Sequence, residues 1–472
     1  MGDMISWLDK LFKIKENNTT VKREVYTGLV SFLAISYILA VNPSILSAAG
    51  MDRGGVLCAT AIAAFIGTAC VAFLSNYPLV LAPGMGLNAF FAFTVVRTMG
   101  FSWQFALFAV LIEGVIFFIL SVSSIREKII EAIPMPLKNA MGAGVGLFIT
   151  LIAFKNACII KPHPDTLITL QHFVGPKFST AGISAILAFI GVLITAFMMH
   201  RRVPGSILFG IIFTWTLGII CQITGLYQVS PNEGYFSLFP DFTQEAFQET
   251  FTGFKKVFGA AFNVEDWHCQ TSGNSGAALL KSLDFMVICF SFLFADFFDT
   301  VGTLNGAMVN TPLMKKDGSI PRLHGALLAD SLATFSGAIL GTSTVTTTAE
   351  SSTGINLGAR TGLSALTAAF LFLISLVAAP IFMAIPGFAT APALIIVGFL
   401  MLRSVKNIDL EDVAGAVPAY LLICGMVFSY SISDGLGIGI IAWTLLNCGI
   451  KGRVNWLLWL ITLIYICKYT YL

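Results

Sequence analysis

The chain has 472 residues, of which 56% are hydrophobic and 11% charged, and its formal net charge is +2. Soluble domains carry roughly 25% charged residues, so this composition excludes a soluble enzyme and is typical of a protein that crosses a bilayer many times. No stretch is left over for a separate catalytic domain, and nine cysteines without a C-x-x-C pair indicate neither a metal site nor a cofactor.

The amino-terminal segment is polar and basic. Residues 1–22 lack the apolar stretch of a signal peptide, so we expect the first span to direct insertion. Apolar stretches predict fourteen spans, at 24–43, 55–76, 79–97, 102–124, 137–156, 180–200, 204–225, 278–302, 322–340, 342–360, 362–384, 388–405, 412–431 and 434–450. The apolar tail 454–472 is either an additional span or an interfacial helix. Lys and Arg concentrate on the side of the amino terminus, which predicts that both ends are cytoplasmic in a protein of the cell membrane.

One long loop, 226–276, interrupts the pattern on the predicted outer side. Its phenylalanines recur at helical spacing, at Phe242, Phe247, Phe251, Phe254, Phe258 and Phe262. This spacing predicts an amphipathic helix that covers the outer surface or lies among lipid headgroups. We interpret the cysteines as packing residues, with a Cys158–Cys269 disulfide as the alternative.

Two halves of the chain share short sequence patterns. "SFLAISYILAVNP" begins at Ser31 and "SFLFADFFDTVG" begins 260 residues later at Ser291. "EAIPMP" begins at Glu131 and "MAIPGF" follows 252 residues later at Met383. Chance alignment of apolar sequence is the alternative. If the repeat is real, each half has seven spans, and because seven is odd the second half is inverted in the membrane.

The third and tenth predicted spans both break the rules of helix formation. Pro83, Gly84 and Gly86 interrupt one span, and Gly341 with the β-branched stretch 342–348 interrupts the other. We expect a short extended piece followed by a half-helix in each. Unwound backbone inside a membrane must be satisfied by protein or by a polar cavity. The nine hydroxyls of "GTSTVTTTAESSTGI" (341–355) then bond the freed backbone and line a site. The alternative is that they hold closely packed helices together.

Carboxylates distinguish these interpretations. Five lie inside predicted spans, at Glu113, Asp296, Asp299, Asp330 and Glu350. Each costs about 2.5–3.5 kcal/mol near the bilayer centre, so a function is expected for the group, although for Glu113 and Asp330 we favour a structural role. No Lys, Arg or His falls in the middle of a predicted span. Such a site suits a neutral or cationic substrate with N–H donors, and a free anion fits poorly.

These segments resemble the nucleobase/cation symporter family, and within it the AzgA-like branch of hypoxanthine, guanine and adenine permeases. The resemblance rests on "SYILAVNP" (36–43), "APGMGLNAFFAF" (82–93), "FADFFDTVGTLNG" (294–306), "GTSTVTTTAESSTGI" and "APALIIVGFLM" (391–401). It implies an all-α polytopic membrane protein of fourteen spans, in two inverted seven-span repeats, with short strands in the broken third and tenth spans. Spans 1–4 and 8–11 would form a core domain, and spans 5–7 and 12–14 a gate domain. The corresponding boundaries are 1–125 and 277–385 for the core, 126–225 and 386–472 for the gate with the tail, and 226–276 for the outer loop.

The resemblance also implies site residues. The family's carboxylates in spans 8 and 10 fall on Asp299 and Glu350, and the amide of span 3 falls on Asn88. We therefore predict as substrate-binding residues Glu350, Asp299, Asn88, Phe294, Phe297 and Thr348, with Phe90 and Phe91 as further candidates for stacking on a ring. Asp299, Asp296 and Glu350 are the predicted proton-coupling residues. An aspartate at position 299, where the uracil and xanthine relatives have glutamate, favours purine over pyrimidine substrates.

The resulting hypothesis is a proton-coupled importer of purine bases that moves its core domain against its gate domain. Sodium coupling is an alternative, and so is an anion transporter or exchanger of the same architecture. Signatures of an intramembrane protease are absent from the sequence. The expected partners are a purine base, a proton or sodium ion, and the lipid bilayer, with a homodimer left open and no nucleic acid. The ranking among hypoxanthine, guanine and adenine does not follow from the sequence.

Overall fold

The computed structural model describes residues 2–122, 134–163, 167–171, 175, 177–230, 235–271, 273, 275–308, 311, 313, 321–451 and 454–471. The helices are α1 (Gly2–Phe12), α2 (Val21–Ile35), α3 (Ile38–Ser47), α4 (Arg53–Leu74), α5 (Met85–Ala89), α6 (Trp103–Val122), α7 (Met135–Asn156), α8 (Ile183–His200), α9 (Ser206–Ile223), α10 (Gln244–Val257), α11 (Leu283–Met308), α12 (Leu323–Leu340), α13 (Ser351–Asn356), α14 (Gly362–Ile374), α15 (Ala379–Ala384), α16 (Gly387–Leu402), α17 (Val413–Phe428), α18 (Ile432–Lys451) and α19 (Trp456–Tyr471). The strands are β1 (Leu81–Pro83), β2 (Ile160–His163), β3 (Leu167–Leu170) and β4 (Val345–Thr347).

Within the described residues, ten helical segments are long and apolar enough to cross a membrane by length and composition. Their ends lie within a few residues of the predicted spans, as for Arg53–Leu74 and Met135–Asn156. The predicted third and tenth spans are not among the ten, because each is divided into a strand and a helix of five or six residues. After α5 the chain continues as π-helical turns over Phe90–Thr98. The chain is therefore a largely helical, multi-pass membrane protein with two interrupted segments.

The interrupted segments pair with each other. β1 and β4 are antiparallel, with Leu81 opposite Thr347 and Pro83 opposite Val345. Two further backbone bonds extend the pair beyond the strands, from Gly84 N to Thr344 O (3.0 Å) and from Thr348 N to Val80 O (3.0 Å). The short strands that the sequence predicts are present, and each satisfies part of the other's backbone.

Side chains of the flanking helices occupy the two outer edges of this pair. On one side the Thr68 hydroxyl of α4 accepts from Leu81 N and donates to Leu81 O, both at 3.0 Å. On the other side the Thr334 hydroxyl of α12 donates to Val345 O at 3.1 Å. An edge strand inside a bilayer needs such partners, because water is absent there. The strand pair is thereby held between α4 and α12.

The long helices pack in two groups. α4 packs against α12 and α14, whereas α7 packs against α16 and α17. Gly146 of α7 faces Gly398 of α16, and a Cβ on Gly146 would lie 2.6 Å from the Gly398 carbonyl oxygen. Only glycine permits this approach of two backbones, which is the small-residue packing typical of membrane helices.

The outer loop is partly as predicted. A helix is present at α10, but its buried side consists of Thr250, Gly253 and Val257 rather than the phenylalanines. Gly253 packs directly on Gly55 at the start of α4, so small residues decide which face is buried. Phe251 stays half-exposed on the other side.

The proposed Cys158–Cys269 disulfide is wrong, because both cysteines are free. The Cys158 sulfur lies 3.5 Å from the Tyr235 hydroxyl, and the Cys269 thiol points to the carbonyl oxygen of Met99. Burial of Cys269 is the packing role expected for cysteines in this chain. The segment after Cys158 forms the antiparallel β2–β3 hairpin, which the sequence analysis did not predict.

The apolar tail is a helix, α19, that packs against α18 and α11. Tyr465 is completely buried, and its hydroxyl lies 3.3 Å from Ser291 Oγ on α11. Thr462 bonds Thr444 of α18 at 2.9 Å. The tail is thus a packed part of the helical bundle.

Candidate functional site

A cavity of about 1410 Å³ is lined by residues of α5, α7, α11, α13 and α16. The interrupted segments contribute Gly86 of α5 and Glu350 before α13 to its wall. The same wall includes three basic residues, Lys138, Arg202 and Arg403. The cavity therefore joins the interrupted segments to a group of basic residues.

Glu350 lies at the end of the cavity nearest the strand pair. It follows β4 at the N-cap position of α13, where its side chain makes no capping hydrogen bond, and it is only partly buried. The Tyr37 hydroxyl donates a hydrogen bond of 2.6 Å to Glu350 Oε1. Tyr37 is 1% exposed and lies where α2 ends and α3 begins. This bond fixes one carboxylate oxygen of Glu350, a residue that lines the cavity.

Tyr37 is a site residue that sequence analysis missed. It is the second residue of "SYILAVNP" (36–43), a segment valued there only for its resemblance to relatives. Its partner lies 313 residues away in the chain. The break between α2 and α3 beside Tyr37 lies inside the span predicted at 24–43 and had no signal in the sequence.

Asp299 of α11 also lines the cavity. Its carboxylate lies against the β1–α5 junction, since a Cβ on Gly84 would be 3.8 Å from Asp299 Oδ2. The Thr303 hydroxyl, one turn later on the cavity wall, donates to the Asp299 backbone carbonyl at 2.7 Å. Asp299 and Glu350 are close enough for their charges to interact. The structure thus brings together the two carboxylates expected to bind substrate.

Within the described residues, neither carboxylate has a basic partner. Salt bridges in this part of the chain are at the surface, for example Lys256 with Asp52. Uncharged polar residues complete the neighbourhood, among them Ser352, Thr353 and Asn356 of the segment that follows Glu350. The site is acidic and rich in hydrogen-bonding groups, as the sequence predicts.

Asn88 and Thr348 do not match their predicted substrate contacts, because neither belongs to the wall of this cavity. Asn88 is fully buried, and its Nδ2 donates to Asn42 Oδ1 at 2.7 Å. The Thr348 hydroxyl donates to Val80 O at 2.9 Å, beside the strand pair. Both side chains satisfy polar groups behind the wall.

The predicted ring contacts of Phe294 and Phe297 do not match this cavity either. Both are buried by packing: Phe294 stacks near Phe290 with centroids 5.0 Å apart, and Phe297 meets Phe117 edge to face at 6.2 Å. An aromatic side chain in a membrane helix packs equally well on any apolar neighbour, so the sequence alone does not show which way these rings point.

Phe90 does contribute to the wall of the cavity, unlike Phe91. Both rings are fully buried against Phe292, at centroid distances of 4.7 and 6.5 Å. The edge-to-face geometry of the Phe90–Phe292 pair leaves Phe90 as an apolar boundary of the cavity.

Asp296 lies one helical turn before Asp299 but is fully buried outside the cavity wall. Its carboxyl group contacts that of Glu113 on α6. Asp330, in contrast, is well supplied with donors: Thr300 Oγ1 at 2.7 Å and Thr347 N at 3.0 Å. Asp330 therefore has the structural role expected of it, anchoring β4 to α12.

Two interrupted segments that meet beside a polar cavity, inside a bundle of apolar helices, form the architecture of a secondary transporter. The chain belongs to the permease family that includes the xanthine and uracil permeases. The sequence model of this family, described as "Permease family", matches residues 22–438.

Relatives of known name support this assignment over nearly the full length. The chain is 37% identical to the guanine/hypoxanthine permease PbuO of Bacillus subtilis over 442 residues, which are 93% of this chain and 94% of that protein. It is 33% identical to the adenine permease AdeP of Escherichia coli over 452 residues, or 95% and 92% of the two chains. Among solved structures, it is similar in fold to the transmembrane domain of a cyanobacterial bicarbonate transporter, BicA, with a TM-score of 0.60 and 14% identity over 89% of this chain and 97% of that one. At that identity the likeness describes the fold alone.

Proposed function

We propose that this protein imports purine nucleobases, among hypoxanthine, guanine and adenine, by proton symport. The observation that carries the proposal is the placement of Glu350 and Asp299 in one cavity wall without a basic partner among the described residues. The names of the similar permeases point to the same substrates. The carboxylates beside the strand pair also argue against an anion such as bicarbonate at that position, although the fold is shared with a bicarbonate transporter.

Recognition of the base depends on hydrogen bonds that the carboxylates accept. The free oxygen of Glu350 accepts from a ring N–H, while Tyr37 holds the other oxygen in place. Asp299 faces the same cavity and accepts from a second donor, or holds a proton that it shares with the base. Bonds to a charged acceptor in a dry site contribute about 1.5–3 kcal/mol each, so two of them account for specificity towards N–H-rich heterocycles.

The transport movement that we propose is an elevator motion of a core domain against a gate domain. Fourteen spans in two inverted repeats, with the boundaries given above, account for the equivalent positions of Thr68 and Thr334 beside the two strands. The strand pair with Glu350 belongs to the core, and α7 and α16 belong to the gate. Lys138 and Arg403 line the cavity between them, and since the positive-inside rule puts such residues on the cytoplasmic side, we infer an inward-facing state with a cytoplasmic amino terminus.

One coupled proton supplies enough free energy to concentrate a neutral base inside the cell. One proton crossing 100 mV contributes about 2.3 kcal/mol, which supports roughly 40-fold accumulation of a neutral base. Asp299, Asp296 and Glu350 are the carboxyl groups proposed for this coupling. Sodium is the alternative coupling ion.

The test is uptake of labelled hypoxanthine, guanine and adenine, with uracil for comparison, in cells that lack purine transport. We expect uptake of at least one purine, no uptake of uracil, abolition by a proton uncoupler, and no change when sodium is replaced by choline. Uptake that persists with the uncoupler but needs sodium would reject proton coupling. Failure to transport any purine base in correctly inserted protein would reject the function itself.

A further inference from the structure

Behind the cavity wall, two carboxyl groups lie in contact, and too few hydrogen-bond donors surround them to satisfy all four oxygens. Glu113 of α6 and Asp296 of α11 are both 0% exposed. Glu113 Oε2 accepts a bond of 3.2 Å from the Thr344 hydroxyl. Within the described residues, Glu113 Oε1 and both oxygens of Asp296 have no hydrogen-bond donor. Three carboxyl oxygens are therefore unsatisfied in one buried place.

The other buried carboxylates among the described residues, Glu24 and Asp330, are satisfied. Both oxygens of Glu24, which is also 0% exposed, accept backbone N–H groups, from Arg360 at 2.9 Å and Thr361 at 3.2 Å. Asp330 accepts the bonds from α11 and β4 described above. Burial alone thus does not explain the unpaired oxygens of the Glu113–Asp296 pair.

The charged and titratable groups around the pair make double ionisation unfavourable. Those that interact with it are Asp330 of α12, Asp299 one turn later on α11, and the Cys289 thiol two turns earlier. Each of these is acidic or neutral. Two carboxylates in contact inside a low-dielectric interior repel strongly, and a single proton converts that repulsion into an O–H···O hydrogen bond.

We infer that Glu113 and Asp296 share one exchangeable proton, and that this pair is the site where the coupling proton is held during transport. The inference rests on the proposed proton–purine symport and adds Glu113, a residue for which the sequence indicated only a structural role. The inference narrows the three carboxyl groups proposed for coupling: Asp296, together with Glu113, holds the proton, whereas Asp299 and Glu350 bind the substrate.

The pair is linked to the substrate site by two short paths. Asp296 and Asp299 are three residues apart on α11, so their side chains are neighbours on one helix face, and Asp299 reaches the cavity. Thr344, which donates to Glu113, directly precedes β4, and β4 leads to Glu350. Loss of the shared proton forces the two carboxylates apart and so displaces α6 from α11 beside the strand pair. Base binding and protonation are coupled through this displacement.

Glu113→Gln is the direct test, because glutamine keeps the size and a hydrogen bond to Asp296 but cannot exchange the proton. Purified protein in liposomes is assayed for hypoxanthine binding, for counterflow without an ion gradient, and for accumulation driven by an inward proton gradient of about one pH unit. With one coupled proton the wild type should accumulate hypoxanthine about tenfold. For Glu113→Gln we expect unchanged binding and counterflow with no accumulation.

Glu24→Gln is the matched control, since Glu24 is equally buried but fully bonded. Its correctly folded fraction should accumulate hypoxanthine like the wild type. Asp296→Asn carries the same expectation as Glu113→Gln and replaces it if that variant does not fold. Infrared spectra of the wild type should also show the carbonyl stretch of a protonated carboxyl group at neutral pH.

Each result decides the inference. Gradient-driven accumulation by Glu113→Gln, or loss of hypoxanthine binding in a folded variant, overturns it. The inference is also overturned if the infrared spectrum of the wild type shows no protonated carboxyl group at neutral pH, and this measurement needs no variant. If the wild type itself neither binds nor transports purine bases, the proposed function has failed instead, and the two failures are distinguishable.

Discussion

The substitution Glu350→Gln replaces one carboxylate oxygen of the proposed site by an amide NH₂ group and removes its negative charge. In the wild type, Glu350 Oε1 accepts the 2.6 Å bond from Tyr37, and in the proposed binding mode the second oxygen accepts from the substrate. In Glu350→Gln the amide oxygen keeps the bond to Tyr37, so the amide NH₂ is directed at the N–H of the base. The variant loses a charge-assisted bond worth about 1.5–3 kcal/mol, and hypoxanthine affinity should fall about 10- to 150-fold.

The assay is equilibrium binding of labelled hypoxanthine to purified protein in detergent. Thermal unfolding and size-exclusion profiles show whether the variant is folded, and Glu24→Gln again serves as the control for loss of a buried carboxylate. We expect the folded control to bind like the wild type. Wild-type affinity in folded Glu350→Gln would refute the assignment of Glu350 as a substrate ligand.

Three further variants test the surroundings of Glu350. Tyr37→Phe removes the hydroxyl that positions Glu350, so binding should weaken about fivefold, for a bond worth about 1 kcal/mol; an unchanged dissociation constant would show that the bond is dispensable. Thr68→Val leaves an edge of β1 unbonded, which costs about 1–3 kcal/mol, so the melting temperature should fall while the folded fraction keeps its affinity; an unaltered melting temperature contradicts this role of Thr68. Gly354→Ala places a methyl group against the Ser31 hydroxyl and 3.0 Å from a backbone carbonyl oxygen of α2. Because α13 must shift to make room, hypoxanthine affinity should drop. Wild-type affinity would show that α2 and α13 can relax without moving Glu350.

The interrupted segments were predictable from sequence because their signals are local. Pro83, Gly84 and Gly341 are incompatible with a continuous helix, and the threonines near them supply hydroxyls for the exposed backbone. The expectation that these hydroxyls also line the site was only partly right. Ser352 and Thr353 do line the cavity, but Thr346 is 1% exposed and bonds Thr300 at 2.7 Å.

The carboxylates show where sequence information ends. Burying a charge in a membrane is so costly that five carboxylates inside predicted spans stood out, and the resemblance pointed to Asp299 and Glu350 among them. Which face of a helix a residue occupies depends on packing between distant segments. For that reason the sequence did not show that Asn88 lies outside the cavity wall or that Tyr37 bonds Glu350. Glu113 had no sequence context that distinguished it from Asp330; only the supply of donors around each side chain does so.

The antiparallel β1–β4 pair also constrains how the chain is made. Leu81 pairs with Thr347, so ribosomes must synthesise most of the protein between the insertion of one strand and the arrival of its partner. Until then the backbone of β1 lacks half its hydrogen bonds in a solvent that offers none, at several kcal/mol for each unsatisfied group. The newly inserted amino-terminal half must therefore shelter that strand, in the translocation machinery or behind its own helices, and maturation of the binding site waits for the second half of translation.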